Sequence, residues 1–216
     1  MNKCETRILS GCSRGLSEAV SILRAGGLVA FPTETVYGLG ADAANELAIQ
    51  KLVQVKKRPL SKPFSVLVPD LAIARSMAIF GSPAKKLAHA FWPGALTLVL
   101  PIHKNRKLPE QVSSNGGSIG LRIPAHPVAN QLLRAFGGPV ATPSANFSGK
   151  DSPTRAEHVV AEMSGLIDAV IDAGPCPLAK ESTIVRLAGS EAQILRRGAI
   201  PQADIETVLG SKVTMA

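Results

Sequence analysis

The chain has 216 residues, 45% hydrophobic and 19% charged, with 24 Lys+Arg against 16 Asp+Glu for a formal net charge of +8. That apolar fraction excludes wholesale disorder, and the length suits one domain whose core must be mainly aliphatic, since aromatics make up only 4%. Residues 1–108 hold 15 basic and 6 acidic side chains, net +9, while residues 109–216 hold 9 and 10, net −1; the excess points to phosphate-bearing partners as readily as to a merely basic surface.

Along the chain, branched apolar runs alternate with helical periodicity. A helix is expected over Leu16–Arg24, a strand over Leu28–Phe31, and a helix over Glu46–Val55, where Leu47, Leu52 and Val55 fall near one face. A strand at Phe64–Val68 leads into two helices, 71–79 capped by Asp70 and 83–90 capped by Ser82. Strands at Leu96–Leu100 and Ile119–Ile123 flank the polar stretch Lys104–Gly117, which reads as a surface loop. Pro127 opens a helix over Val128–Phe136, and a strand follows at Val140–Thr142. Thr154-Arg155-Ala156-Glu157 has the pattern of a capping box for a helix reaching about Met163. Strands at Ala169–Asp172, Thr183–Leu187 and Gln193–Arg196 and a helix at Ala203–Leu209 complete the order. The mixture predicts a single α/β domain over 1–216, built on a twisted sheet expected to be mixed.

No segment reads as membrane-spanning: the most apolar stretch, 91–102, falls short of the ~20 residues a bilayer requires and contains two prolines. The first ten residues lack the apolar run of a secretory signal. Cys4, Cys12 and Cys176 show no Cys-x-x-Cys spacing, which argues against a disulfide framework or structural zinc and for a reducing, cytoplasmic setting.

Polar residues recur at the ends of these strands, where ligands of α/β sheets sit. Thr33, Glu34, Thr35 and Tyr37 cluster after the strand ending at Pro32. Gly38-x-Gly40-x-x-Ala43 mimics a dinucleotide fingerprint, but the polar PTET segment separates it from its strand. Lys51, Lys56, Lys57, Arg58 and Lys62 lie within twelve positions with no acid among them, and prolines stiffen the run. Such a loop suits a triphosphate, though a solvated charge run is the commoner explanation. Ser144 and Asn146 alternate after Val140–Thr142, so both can face one side of an extended chain. Arg122 sits inside an apolar strand, where it requires either an internal salt bridge or a bound anion. The four histidines have no metal-ligand spacing, and no metal ligands are assigned.

Taken together, FPTETVYGLGADA, KKRP, FWPGALTLVL, IGLRIPAHPVA, PSANFSG, GPCP, ESTIVRL and ILRRGAI resemble the YrdC/Sua5 family in the family's order, over roughly Leu16 to Leu209. The resemblance implies a YrdC-like fold with a concave basic cavity. It also implies a nucleotidyltransferase activity, threonylcarbamoyl-AMP synthesis from L-threonine, bicarbonate and ATP with release of pyrophosphate, serving the t6A modification of tRNA. It places Thr35, Arg122, Thr142 and Ser182 on L-threonine, with Arg122 on its carboxylate, and Arg58, Lys62, Ser118, Ser144, Asn146, Ser152 and Arg196 on ATP. Lys56 and Arg58 become the catalytic cations, joined by Mg2+; Glu34 is a candidate for orienting the metal or the threonine amine.

Three departures accompany the resemblance. Leu67 stands where Sua5-type relatives often carry a histidine, Lys180 adds a charge before Glu-Ser-Thr, and the extra C-terminal domain of longer Sua5 proteins is not expected within 1–216. For the enzyme, tRNA or the threonylcarbamoyl-transferase machinery is the further partner expected; the alternative reading is an RNA-binding module or a ribosome- or RNA-maturation factor without adenylyl transfer. A regulatory protein that binds ATP without turnover is a third reading.

Overall fold

The described residues of this computed structural model are 5–57, 62–114, 117–189 and 191–216. In chain order the elements are β1 (Arg7–Ser10), α1 (Ser13–Arg24), β2 (Val29–Phe31), β3 (Gly38–Asp42), α2 (Glu46–Lys56), β4 (Ser65–Leu67), α3 (Leu71–Met77) and α4 (Ser82–Phe91). There follow β5 (Leu96–Pro101), α5 (Glu110–Ser113), β6 (Ser118–Arg122), α6 (Pro127–Phe136), β7 (Val140–Ala141), α7 (Ala156–Met163), β8 (Ala169–Asp172), β9 (Thr183–Ala188), β10 (Glu191–Arg196), α8 (Gln202–Leu209) and β11 (Thr214–Met215).

The strands join in one sheet of order β1-β8-β2-β3-β7-β4-β6-β5-β9-β10-β11. It is mixed, as expected. β8 runs parallel to both β1 and β2, β4 to β6, and β5 to β9. β3 is antiparallel to β2 and β7, and β5 to β6.

The period of two along a strand sorts side chains between two cores. Val29 and Phe31 face one core with Leu16, Leu23, Leu132 and Leu133 of α1 and α6, whereas Ala30 between them faces the other. Ala169, Val170 and Ile171 of β8 divide in the same way, as do Val140 and Ala141 of β7. The larger core is aliphatic, with Leu39, Ile49, Leu52, Leu87, Leu96, Leu98 and Leu100 almost wholly buried. Each such side chain contributes about 1.5–3 kcal/mol through removal from water.

Two helix starts follow their side chains directly. Asn45 Oδ1 accepts from the N–H groups of Leu47 and Ala48, and Asp70 Oδ1 accepts from Ile73 N at 2.8 Å. Elsewhere tertiary contacts override local pattern. The capping box at 154–157 does not form: α7 starts at Ala156, Arg155 makes no capping bond, and the Thr154 carbonyl instead accepts from Cys176 N at 2.9 Å. That bond fixes Thr154 to the 174–177 turn and holds it outside the helix. Ser82 lies inside α4, with Gly81 in the capping position. The stretch expected as a surface loop, 104–117, contains α5, whose Val112 is buried and whose Gln111 carbonyl accepts from Phe64 N at 2.7 Å.

β3 was hidden by its own glycines, which lower strand propensity. They serve close approach. A Cβ at Gly40 would stand 2.7 Å from Phe31 Cε1, and one at Gly38 would stand 2.3 Å from Thr142 Cγ2.

Candidate functional site

The turn between β2 and β3 is built by Thr33. Its hydroxyl donates to the Val36 carbonyl at 2.7 Å and receives the N–H groups of Thr35 and Val36. Because that single proton is already committed, the 2.8 Å contact between Thr33 and Thr35 Oγ1 has Thr35 as donor. Thr35 therefore keeps its lone pairs for a further donor. Tyr37 clamps the turn from behind, its hydroxyl donating to the Gly174 carbonyl at 2.9 Å. Burial pushes the Tyr37 phenol up to about 12 and the Cys176 thiol beneath it up to about 11.

This turn forms one wall of a cavity of about 390 Å³. The opposite wall is Glu181, Ser182 and Ile184 at the start of β9 with Arg196 at the end of β10; Thr97, Ser65, Leu67 and Arg122 form the floor between them. Residues 142–150 and the ends of α2 and β4, with Lys56 and Lys62, close the rest.

Arg122 is 6% exposed and Glu34 7%. Their Nη2 and Oε1 stand 2.7 Å apart and have no other polar partner. Arg122 Nε donates to the Gly94 carbonyl at 3.0 Å, and Glu34 Oε2 accepts from Ala125 N at 3.0 Å. Of the two possibilities left open for Arg122, the internal salt bridge is present, and the residue still lines the cavity. Both Glu34 oxygens are occupied by these contacts, so Glu34 is not presented to a metal or an amine as the sequence reading had it.

Arg196 heads the second network. It donates through Nε and Nη2 to the Ser182 carbonyl at 3.1 and 2.9 Å, and through Nη2 to Ser182 Oγ at 3.0 Å. Its Nη1 pairs with Glu181 Oε2 at 3.1 Å, and Glu181 Oε1 accepts from Ser152 Oγ at 2.7 Å. Ser182 Oγ also meets Thr97 Oγ1 at 2.8 Å. Burial lowers the Arg196 pKa from its ordinary value, the Arg122 charge adds to that, and Glu181 opposes it.

Lys56 is 1% exposed. Its ammonium donates to the Ser144 carbonyl at 2.6 Å, to the Asn146 carbonyl, and to Asn146 Oδ1 at 3.1 Å. The same Oδ1 accepts from Ser144 Oγ at 2.6 Å, and Asn146 Nδ2 donates to the Lys150 carbonyl. The charge thus sits in the cavity wall as the fastening of the 144–150 turn. Lys57 ends α2 at φ 49° and turns its ammonium over the Phe147 ring, 5.2 Å from the centroid.

Of the residues singled out from the sequence, Thr35, Lys56, Lys62, Arg122, Thr142, Ser144, Asn146, Ser182 and Arg196 all line this cavity. Ser152 stands one bond behind it, on Glu181. Ser118 is paired with Pro101 at the far end of β6 and does not line it. Arg58 lies outside the described residues. Among the lining residues with no assigned role are Thr97, Glu181 and Lys150. Thr97 is a lone hydroxyl between Leu96 and Leu98, a polar break in an apolar strand that could have marked it. Glu181 directly precedes Ser182, and Lys150 follows the PSANFSG motif, so both adjoin residues that the motifs do mark. Among the described residues no group of three His, Cys, Asp or Glu could hold a metal ion, and no helix is long and apolar enough to cross a membrane.

A family model described as "Telomere recombination", Sua5/YciO/YrdC, matches residues 21–198. The chain belongs to the Sua5/YciO/YrdC family. It is 42% identical over 196 residues to the threonylcarbamoyl-AMP synthase of Bacillus subtilis, covering 90% of this chain and 56% of that protein. It is 40% identical over 200 residues to a putative threonylcarbamoyl-AMP synthase of Mycobacterium tuberculosis, covering 92% and 90%. The crystal structure of P. abyssi Sua5 complexed with L-threonine superposes with a TM-score of 0.90 at 36% identity, covering 99% of this chain and 62% of that one. The chain thus spans little more than half the length of the B. subtilis relative.

Proposed function

We propose that the chain catalyses threonylcarbamoyl-AMP synthesis, a nucleotidyl transfer that consumes L-threonine, bicarbonate and ATP and releases pyrophosphate and water. The observation that carries the proposal is the convergence of Thr35, Arg122, Thr142, Ser182 and Arg196, from separate strands and turns, on one cavity. The likeness to a threonine-bound Sua5 supports it.

In this reading the threonine carboxylate lies against Arg122, whose orientation Glu34 and the Gly94 carbonyl fix before any ligand arrives. The Thr35 lone pairs accept from the amine. The amine nitrogen attacks the bicarbonate carbon, a C–O bond breaks with loss of water, and a carbamate results. A carbamate oxygen then attacks the α-phosphorus, and the bond to the β-phosphate bridging oxygen breaks with its electron pair leaving on pyrophosphate. A carbamate is labile in water, so the cavity must hold it in place until it attacks the phosphorus.

No side-chain nucleophile is required. Catalysis rests on positioning and on positive charge near the phosphates, from Lys62 and Arg196 in the cavity lining, with Lys56 acting through its field and by holding Ser144 and Asn146 in place; the resemblance adds Arg58 to this set. Magnesium travels with the triphosphate as part of the substrate, which suits a wall of cations and hydroxyls rather than clustered carboxylates. Product passes to the tRNA-modifying transferase. The RNA-binding alternative gains nothing from the cavity, which offers no aromatic ring for base stacking among its described residues.

The test is pyrophosphate release from ATP. It should require both L-threonine and bicarbonate, and release at an equal rate without threonine refutes the assignment.

A further inference from the structure

A second cleft, of about 360 Å³, lies between the start of α3, α4, the Trp92–Pro93 turn and α6. Phe80 and Trp92 form its apolar base, rings edge to face with centroids 6.0 Å apart. Trp92 Nε1 is committed to the Leu96 carbonyl at 2.7 Å, so the indole offers the cleft its ring and no hydrogen bond. Four exposed basic side chains stand around that base: Arg75, Lys85, His89 and Arg134. None of the four side chains is in an ion pair with another described residue. The one carboxylate in the lining, Asp70, already accepts from the backbone of α3 through Oδ1.

This arrangement inverts that of the first cavity, where Arg122 and Lys56 are buried, Arg196 is partly exposed, and each has internal partners. Here a half-buried aromatic base is ringed by unspent positive charge. The ligand that satisfies both halves is a planar ring carrying a phosphate. We propose that this cleft is a second nucleotide site, in which the base packs on Phe80 and Trp92 and the phosphate is held by Arg75, Lys85 and Arg134. The same base–phosphate unit is offered by a free nucleoside monophosphate and by one residue of an RNA strand.

The site lies next to the first without being part of it. Gly94, two residues beyond Trp92, gives its carbonyl to Arg122 and its N–H to the Ile123 carbonyl at 2.8 Å, and Ile123 lines the cleft.

Trp92 is the chain's single tryptophan, so its fluorescence reads occupancy directly. Titration with AMP should quench it saturably, with adenosine and ribose 5-phosphate each binding at least about tenfold more weakly because each lacks one half of the ligand. The Arg75→Glu/Arg134→Glu variant, altered only at exposed positions, should keep its melting temperature and lose at least about tenfold in AMP affinity. Arg196→Ala, in the first cavity, should leave the quench intact. A single-stranded oligoribonucleotide binding at least about tenfold tighter than AMP makes the source an RNA strand; weaker binding makes it the free nucleotide. The proposal is overturned if AMP gives no saturable quench, or if the quench survives Arg75→Glu/Arg134→Glu and is lost in Arg196→Ala.

Discussion

Replacing Glu34 by alanine tests how the first cavity holds its arginine. Arg122 Nη2 and Glu34 Oε1 are each other's polar partner at 2.7 Å, and both residues are more than nine-tenths buried. Removing one member of such a pair leaves an uncompensated charge in a low-dielectric setting, a loss of about 3–5 kcal/mol. The variant also orphans the Ala125 N–H, which now donates to Glu34 at 3.0 Å. For a chain of this length each kcal/mol moves the melting temperature by about 2–4 °C, so Glu34→Ala should melt about 6–20 °C lower. Glu34→Gln keeps an acceptor for Ala125 and loses only the charge, so its drop should be smaller. Differential scanning calorimetry with and without L-threonine supplies the second arm. If Arg122 receives the threonine carboxylate, saturating threonine should raise the melting temperature of Glu34→Ala more than that of the parent chain, because the ligand replaces the missing anion. A fall below about 2 °C in Glu34→Ala would place the pair in the class of solvated surface contacts and refute the argument from burial.

Further outcomes follow from the same geometry. Gly198→Ala places a Cβ 2.3 Å from Ser182 C and 2.4 Å from the Glu181 carbonyl oxygen, both backbone atoms, so it should cost about 1–3 kcal/mol in urea denaturation and reduce turnover by displacing Ser182 and Arg196; an unperturbed variant would show that the two segments separate freely. Lys56→Met leaves the Ser144 and Asn146 carbonyls without their charged donor and should lose at least about 1.5–3 kcal/mol, read from the urea midpoint, with a loss under 0.5 kcal/mol contradicting a fastening role. Thr35→Val removes the spare lone pairs at constant shape, so the KM for threonine should rise while that for ATP holds; equal shifts in both would sink the assignment. Tyr37 keeps its proton in the fold beyond the pH at which the unfolded chain releases it, so its stabilising contribution is complete below pH 10 and lost as pH rises towards about 12. The melting temperature of the parent chain should therefore fall more steeply across that window than that of Tyr37→Phe, and parallel curves would contradict the shift.

How much of this was legible in the sequence depended on what each residue answers to. Asp70 and the branched apolar run of β8 are local signals, and the fold keeps them. β3 was missed because Gly38 and Gly40 weaken the strand pattern for the sake of the Thr142 methyl, distant in sequence, and the Phe31 ring on the neighbouring strand β2. Thr154 was misread for the same kind of reason, since a turn twenty residues away takes its carbonyl. The cavity residues were found largely through the ordered motifs, which carry three-dimensional information that spacing alone does not. The Phe80–Trp92 cleft was invisible, because its cations Arg75, Lys85 and Arg134 come from three helices and no short stretch of sequence brings them together.

The partition of positive charge is itself a functional statement. From the sequence, Lys56 looked like a member of a solvent-facing cationic run. In the fold its ammonium is consumed by three oxygen atoms of a single turn, just as Arg122 is held by Glu34 and Gly94 and Arg196 by Ser182 and Glu181. Cations whose orientation is fixed before the ligand arrives undergo little reorganisation as charge develops on a transferred phosphoryl group, which is the condition under which fixed charge lowers a barrier most. The arginines of the first cavity therefore act as oriented fields, with part of their hydrogen-bonding capacity already used. Arg75, Lys85 and Arg134 are exposed and make no ion pair among the described residues, and are suited to gripping an anion that arrives from solvent. The two groups are not interchangeable: neutralising one of the exposed three should weaken association in a salt-dependent way, whereas neutralising Arg122, buried in its pair with Glu34, should change the melting temperature and turnover at every ionic strength.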